Sequence, residues 1–548
     1  MRLFLSLLCV LCLVPATAPA QDMPGMAMPG GTHHHHDAPL PGEKLGHVSF
    51  PSSCTPKSQA GMERGIALLH SFGYAKAQMQ FAAIERADPA CAMAHWGAAM
   101  TQYQELWGEP DAEALRVGAQ EMAAARDLKA TATPRERAYI DALSAFFAPP
   151  DASFRQRADT YADAMDRLHA AFPDDVEGAA FDALAILADA TSGDASLSHE
   201  RRALAILEPL FEAHPDHPGL AHYIIHTCDT PALAPEGLKA ARVYARIAPA
   251  SPHALHMPAH IFARLGLWQD DIASNLASVA ASQRAEAAHE PGAAHQMHAK
   301  EFLTYAYLQT GDDAKAHALT QAMAGLGHHM AAMPGMDDMK DDGHFFDNEL
   351  RAIYALEMHD WSAATQLKPA PGTQAFEAFD VYWAQGIAAS HLRDARQAAA
   401  ALAAFDQSLE ALKTSPYADY AGSLTIKRNE MLGWQALAEG RSDDAIAAMR
   451  AAADDQDRHG QNEVDIPARE MLGDVLLAAH RPEAALAEYH TALQLSPNRL
   501  NGLLGAAQAA EQSGHAAEAK ALYATVARQT NRGKATRRAE VRLAIGKA

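Results

Sequence analysis

Two pairs of histidines are the residues whose spacing most directly suggests chemistry. Within each pair the side chains are four residues apart, and the second pair follows the first by 34 residues; the positions are His222, His226, His256 and His260. Residues four apart share one face of a helix, and imidazole is a ligand of zinc, copper, iron and nickel. If the two helices are neighbours, the spacing predicts that four imidazoles converge on one transition-metal ion in a groove.

Other side chains near these pairs are candidates to complete the site. Asp229 follows the first pair closely, and His253 precedes the second pair by one helical turn. Pro258 predicts a late start for the second helix, which leaves His253 just outside it. His298 begins the next helix of the same kind, with Glu301 three residues later. The alternative interpretation is that these histidines only bind backbone groups and pack helix against helix.

Two segments rich in methionine and histidine suggest a different kind of metal binding. Both contain the tetrapeptide Met-Pro-Gly-Met, whose glycine and proline disfavour a helix, so we expect exposed, flexible chain. Thioether sulfur selects Cu(I), and imidazole suits Cu(II) or Zn(II), so copper is the predicted ion and zinc the second choice. The alternative is a low-complexity linker. The residues are Met23, Met26, Met28, His33, His34, His35 and His36 near the N-terminus, and Met330, Met333, Met336 and Met339 in an insertion at residues 327–344 that ends at His344.

The composition excludes several classes of function. The 548 residues include 45 Lys and Arg against 67 Asp and Glu, a formal net charge of −22. This acidic excess disfavours nucleic acid and anionic membrane surfaces as partners, because both require a surplus of basic side chains. The sequence also has no phosphate-binding P-loop, dinucleotide-binding glycine motif or nucleophile elbow.

The N-terminus has the pattern of an export signal. Arg2 precedes the apolar stretch Leu3–Val14, and Ala18-Pro19-Ala20 fits the small-residue cleavage site. We therefore predict a signal peptide at residues 1–20, cleaved after Ala20, and a disordered segment at residues 21–44. No later apolar run is long enough to span a bilayer, so the exported protein is expected in the periplasm without membrane insertion. An uncleaved membrane anchor is the alternative.

Three cysteines remain after the predicted cleavage. Disulfides persist in oxidising compartments, and Cys54 and Cys91, on either side of the first predicted helix pair, are the natural partners for one. Cys228 is then left as a free thiol beside the first histidine pair. Two separate buried thiols at Cys54 and Cys91 are the alternative.

A repeated pattern of small and aromatic residues predicts the elements that position these side chains. A glycine is followed after 12, 16 and 24 residues by alanine, an aromatic residue and proline, and full copies are Gly473, Ala485, Tyr489 and Pro497, and Gly65, Ala77, Phe81 and Pro89. Another copy begins at Gly433, 40 residues before Gly473, so about six residues are inserted around His459–Val464. The offsets are those of the tetratricopeptide repeat, a pair of antiparallel helices called A and B. We predict an all-α, right-handed superhelical solenoid over residues 45–530, with the A helices lining a concave groove, and a capping segment at residues 531–548.

Two longer motifs carry a resemblance to a family. Residues 91–97 (CAMAHWG) and 251–268 (SPHALHMPAHIFARLGLW) resemble motifs of exported bacterial tetratricopeptide-repeat proteins, and the resemblance covers most of residues 45–530. It implies a fold and a compartment, and no established activity. The methionine and histidine tracts resemble those of periplasmic copper-handling proteins. Two classes of function follow: a non-catalytic scaffold whose concave groove binds a peptide or protein partner, or a metalloenzyme that uses the stacked histidine pairs as its catalytic metal site.

Overall fold

The computed structural model of the chain describes residues 42–106, 109–148, 151–190, 196–331, 339–415 and 417–548. Within these ranges the regular secondary structure is helical and no strand occurs, which confirms the predicted all-α fold. None of the described helices combines the length and apolar character needed to cross a membrane.

Most helices form antiparallel pairs. In chain order they are α1 (Gln59–His70), α2 (Tyr74–Ala87), α3 (Ala92–Tyr103), α4 (Ala112–Asp127), α5 (Pro134–Phe147), α6 (Phe154–Ala171), α7 (Val176–Ala188), α8 (Ser198–Ala213), α9 (Pro218–Thr227), α10 (Ala234–Ile247), α11 (Pro252–His256), α12 (Pro258–Arg264), α13 (Trp268–Ala287), α14 (His295–Thr310), α15 (Asp313–Ala331), α16 (Met339–Glu357), α17 (Trp361–Ala364), α18 (Phe379–His391), α19 (Ala395–Leu412), α20 (Leu424–Ala438), α21 (Ser442–His459), α22 (Ala468–Ala478), α23 (Pro482–Leu495), α24 (Leu500–Gln512), α25 (Ala516–Gln529) and α26 (Ala539–Gly546). The A helices are α1, α3, α5, α7, α9, α11 with α12, α14, α16, α18, α20, α22 and α24.

An aromatic side chain on helix B fills the space between two neighbouring A helices. Phe81 of α2 lies between Gly65 of α1 and Gly97 of α3, where an added Cβ would come within 2.6 and 2.4 Å of its ring. Tyr489 of α23 packs in the same way against Gly505, at 2.3 Å. The glycine-to-aromatic spacing in the sequence therefore reflects close approach of helices that only glycine permits.

The A helices form the interior, as predicted. Successive A helices contact one another, for example α7 with α9 and α12 with α14. Helix α14 is buried along nearly its whole length, whereas the B helix α8 buries only Ala203, Leu204, Leu207 and Phe211. The interior of the helix array is thus built from the elements that carry the predicted histidine pairs.

The interior surface is partly covered by the chain itself, which differs from the open groove that the sequence predicts. Helix α14 contacts α24, and α1 contacts α9. The indole Nε1 of Trp268 donates to the carbonyl of Asn498 at 2.8 Å, and Tyr305 Oη donates to the carbonyl of Asp465 at 2.6 Å. Arg264 of α12 donates to the carbonyl of Gln461. Repeats that are far apart in sequence thus meet across the interior, and the inner face of α12 and α14 packs against residues 461–500.

The methionine-rich insertion is more helical than its sequence predicts. Helix α15 continues to Ala331 and α16 begins at Met339. The two helices cross at Gly327 and Gly343, where a Cβ on Gly327 would lie 2.6 Å from the other glycine's Cα. This close crossing holds the flanking residues in helices despite glycine's low helix propensity, and His344, expected on exposed chain, is buried. Residues 332–338, with Met333 and Met336, lie outside the described residues, as does the N-terminal tract.

Two further expectations concern the first described residues. The sulfurs of Cys54 and Cys91 are joined and their Cα atoms lie 4.7 Å apart, while Cys228 is a buried free thiol. Glu43, assigned from sequence to a disordered segment, is instead placed by an ion pair of 2.7 Å with Arg64. The described residues thus include the last three of that predicted segment, residues 42–44, and an ionic contact to α1 places Glu43.

Candidate metal centre

The four histidines of the two pairs do not converge on one point. They divide into two groups, in each of which the possible ligand nitrogens lie within 4.8 Å of one another. The first triad is His222, His226 and His253, and the second triad is His256, His260 and His298. Neighbouring A helices are staggered along their length. His256 occupies the repeat position equivalent to His222, but the residue that contacts His222 of α9 is His253, about one helical turn earlier.

Pro258 divides an inner helix and does not mark its start. Helix α11 begins at Pro252, where the Ser251 hydroxyl accepts a hydrogen bond from the amide of residue 254 at 3.2 Å. Helix α12 then begins at Pro258 itself. His253 therefore lies inside a helix, contrary to the prediction, and its Nε2 atom is 3.0 Å from Nε2 of His222.

Oxygen acceptors hold the Nδ1 atoms of the second triad. His256 Nδ1 donates to Oδ1 of Asn275 at 2.6 Å, and the amide of that asparagine is itself fixed by Asp271. His298 Nδ1 donates to Oε2 of Glu301 at 2.7 Å. A metal-bound histidine characteristically donates a hydrogen bond from its second ring nitrogen to such an oxygen, which fixes the tautomer and the ring orientation.

His260 has the most strongly charged surroundings of the second triad. Its Nδ1 lies 2.9 Å from Asp229 Oδ2 and 2.8 Å from Glu463 Oε1, and Arg264 Nε donates to the other Asp229 oxygen at 3.0 Å. Although burial lowers the pKa of His260, the two carboxylates raise it to about 10. Asp229 is therefore a partner that orients His260, and the sequence had suggested it as a direct ligand.

The contact between His256 and His260 requires a cation. Their Nε2 atoms are 3.0 Å apart. Because both Nδ1 atoms face oxygen acceptors, they carry the ring protons, and each neutral ring then presents a lone pair at Nε2. Two facing lone pairs repel, so either a proton on His260 or a metal ion lies between them. Two ligands of a tetrahedral zinc ion, at about 2.0–2.1 Å each, are roughly 3.3 Å apart, close to the spacing observed.

A buried network beside the first triad shows what a purely structural histidine looks like here. Glu177 accepts from His70 Nε2 at 2.6 Å and from His217 Nε2 at 3.0 Å. The remaining nitrogens accept from the Tyr223 hydroxyl at 2.8 Å and from the amide of Leu220 at 3.2 Å. Every ring nitrogen of His70 and His217 has a protein partner of the opposite kind, so this network needs no ion.

The two triads differ in access to solvent. In the first triad His222 is fully buried, whereas 39% of the His298 side chain is exposed in the second. Cys228, which the sequence places beside the first histidine pair, lies in an apolar core with α10, where an added Cβ on Gly237 would meet its side chain. The sequence pattern did not identify Glu463 or Asn275, which accept hydrogen bonds from Nδ1 of His260 and of His256.

Comparisons with known proteins support the repeat assignment for one part of the chain. Residues 476–537 match the tetratricopeptide repeat family. No curated protein matches the chain. Among solved structures, the chain is similar to the Cut9–Hcn1 hetero-tetramer of the APC/C (12% identity, 89% of this chain and 95% of that one, TM-score 0.33). It is also similar to the human IFIT1 dimer with m7Gppp-AAAA (13%, 80% and 90%, TM-score 0.36) and to the tetratricopeptide-repeat domain of P58(IPK) (15%, 68% and 97%, TM-score 0.21). Similarities at this level do not bear on function.

Proposed function

We propose that this protein is an exported helical-repeat scaffold that binds a transition-metal ion in its second triad. The observation that carries the proposal is the convergence of three imidazoles, whose possible ligand nitrogens lie within 4.8 Å of one another and whose Nδ1 atoms all face oxygen acceptors. His298 supplies a third imidazole. An all-nitrogen set of this kind suits copper or zinc.

A catalytic role is the second candidate for the same site. Catalytic zinc commonly has three protein ligands and one open position, whereas structural zinc has four. The second triad offers three imidazoles, and the exposed side of His298 gives a small molecule access to the remaining position. This observation favours a metalloenzyme over a structural ion, although no described residue is assigned as its general base.

The scaffold role rests on the repeats. Helix-pair repeats present extended surfaces to peptide or protein partners, and residues 476–537 match such a repeat. Because residues 461–500 cover the inner face of α12 and α14, we propose that the partner binds a part of the helix array other than this one. The acidic balance of the chain disfavours nucleic acid as that partner.

We further propose that the tracts bind Cu(I) in the periplasm, independently of the triads. Deleting Asp22–Asp37 should lower the Cu(I) stoichiometry, measured by competition with a chromophoric chelator, and leave the melting temperature unchanged. The second deletion should be limited to residues 332–338, because a longer one would remove the crossing of α15 and α16 at Gly343. Unchanged copper binding in the first variant would show that the N-terminal tract is only a linker, and unchanged binding in the second would show that Met333 and Met336 are not ligands.

The test of the second triad compares two histidine substitutions in the full-length chain. After dialysis against Zn²⁺, His298→Ala should hold one ion fewer per chain than the wild type, measured by elemental analysis. It should also lose part of the zinc-dependent rise in melting temperature, since an ion at a hundredfold excess over its Kd contributes about 2.7 kcal/mol. The control is His317→Ala, which removes an exposed histidine of α15. Equal zinc content in the wild type and His298→Ala would refute the site.

A further inference from the structure

We propose that the first triad binds a second transition-metal ion, so that two neighbouring repeats carry a two-ion centre of imidazole ligands. The inference extends the proposed function, because it assigns an ion to residues that the second triad does not use. The ion is zinc or copper by the same argument from donor type.

The ring of His222 is fixed in the form that binds metal. Its Nδ1 lies 2.6 Å from the carbonyl oxygen of His70. A carbonyl only accepts hydrogen bonds, so Nδ1 carries the proton and Nε2 of the neutral ring carries a lone pair. That lone pair points toward Nε2 of His253, 3.0 Å away.

His226 provides the observation that a hydrogen-bonded pair alone does not explain. Its Nε2 atom is buried and has no hydrogen-bond partner among the described residues. A buried polar atom without a partner costs free energy comparable to a lost hydrogen bond. Its ring centroid lies 4.7 Å from that of His222, so an ion bound between the three rings would satisfy this nitrogen.

One aromatic side chain contacts all three imidazoles of the first triad. The centroid of Phe72 is 4.4 Å from that of His222, 5.4 Å from His226 and 5.5 Å from His253. Phe72 follows helix α1 in the left-handed conformation, with a φ of 50°, in the turn that ends this helix. Its apolar ring therefore lies against the three candidate ligands on one side.

The two triads are linked through Asp229, which follows α9 and contacts Nδ1 of His260.

The test counts zinc ions in the full-length chain with a closely matched control. His226 and His391 are both half-buried, both have a buried Nε2 without a partner among the described residues, and burial lowers the pKa of each to about 3. His391 is stacked on Trp361 and belongs to neither triad. After dialysis against Zn²⁺, His226→Ala should hold one ion fewer than the wild type, and His391→Ala should hold as many.

The outcomes separate the two proposals. Loss of an ion in His298→Ala but not in His226→Ala would overturn the second ion and leave the proposed function standing. The reverse pattern would support the first triad and refute the second. Should His226→Ala fail to fold, as judged by circular dichroism, anomalous diffraction from zinc-loaded wild-type crystals decides. A peak within about 2.3 Å of the first-triad nitrogens supports the inference, and its absence beside a peak at the second triad overturns it.

Discussion

Replacing Asp313 by alanine should release the C-terminal segment from the middle of the chain. The carboxylate accepts from Arg538 Nη2 at 2.9 Å, from the Thr536 hydroxyl at 2.8 Å and from the amide of Arg537 at 2.7 Å. The Asp313 and Arg538 side chains are both 0% exposed. Removing one partner of a buried ion pair leaves an unpaired buried charge and costs about 3–5 kcal/mol.

The assay must be local, because the stability of a repeat array is a sum over repeats and its unfolding is not a single step. A loss of about 3–5 kcal/mol corresponds to an increase of roughly two to three and a half orders of magnitude in local opening. Amide hydrogen exchange across Ala539–Gly546 should accelerate by that factor in Asp313→Ala, and by less in Asp313→Asn, which retains an acceptor.

The control is an ion pair of similar length at the surface. Arg481 and Asp443 are 2.6 Å apart, but their side chains are 50% and 85% exposed, and such pairs contribute about 0–1 kcal/mol. Exchange rates for residues 539–546 that stay within threefold of the wild type in Asp313→Ala, or that rise equally in Asp443→Ala, would refute the reasoning.

Three other predictions concern single groups. Thiol titration in denaturant without reductant, on the chain lacking its predicted signal peptide, should find one free thiol, Cys228, and three would contradict the disulfide. Gly97→Ala places a methyl group 2.4 Å from the Phe81 ring and should destabilise the fold by about 1–3 kcal/mol. In Gly325→Ala the added methyl group meets nothing within 4 Å, so this substitution should stabilise the fold by about 0.5–1 kcal/mol. Melting temperatures that shift in the same direction in both variants would contradict this account. Burial raises the pKa of Glu430 to about 8, above its value of about 4.3 in the unfolded chain. The neutral carboxyl therefore contributes its full share of the free energy of unfolding below about pH 4, and that share is lost as the pH rises through 8. A side-chain amide does not titrate in this range. In urea unfolding, Glu430→Gln should therefore have the same free energy of unfolding as the wild type at pH 4 and a larger one above pH 8. If the two proteins lose stability in parallel as the pH rises, this account is contradicted.

The repeats were predictable from sequence because their packing is local. The Gly65–Phe81 contact joins two helices of one pair, so it produces a fixed offset that recurs along the chain. The pairing of α1 with α2 and of α22 with α23 follows from that offset and from helix propensity. Predictions of this kind need no knowledge of distant parts of the chain.

The arrangement of the candidate site was only partly predictable. The offset of 34 residues placed His222 and His256 on neighbouring inner helices, but it did not reveal the stagger that brings His253, and not His256, against α9. Glu463 reaches His260 across 203 positions of sequence, and no local pattern reports such a contact. The one signal was the insertion of about six residues around His459–Val464, which breaks the repeat period where this carboxylate is found.

The packing of α24 on α14 also bears on the order in which the chain can fold. The Trp268–Asn498 hydrogen bond spans 230 positions, and contacts of such high sequence separation slow folding, because the ends of a long loop must meet before the contact forms. During synthesis from the N-terminus, the inner faces of α12 and α14 emerge long before the segment that covers them. In an open array the last repeats can be lost without consequence for the middle. In this chain Trp268 and Tyr305 contact residues more than 190 positions later in the sequence. A truncation that removes those residues would expose both aromatic side chains, so the loss of the last repeats would also alter the packing of the middle repeats.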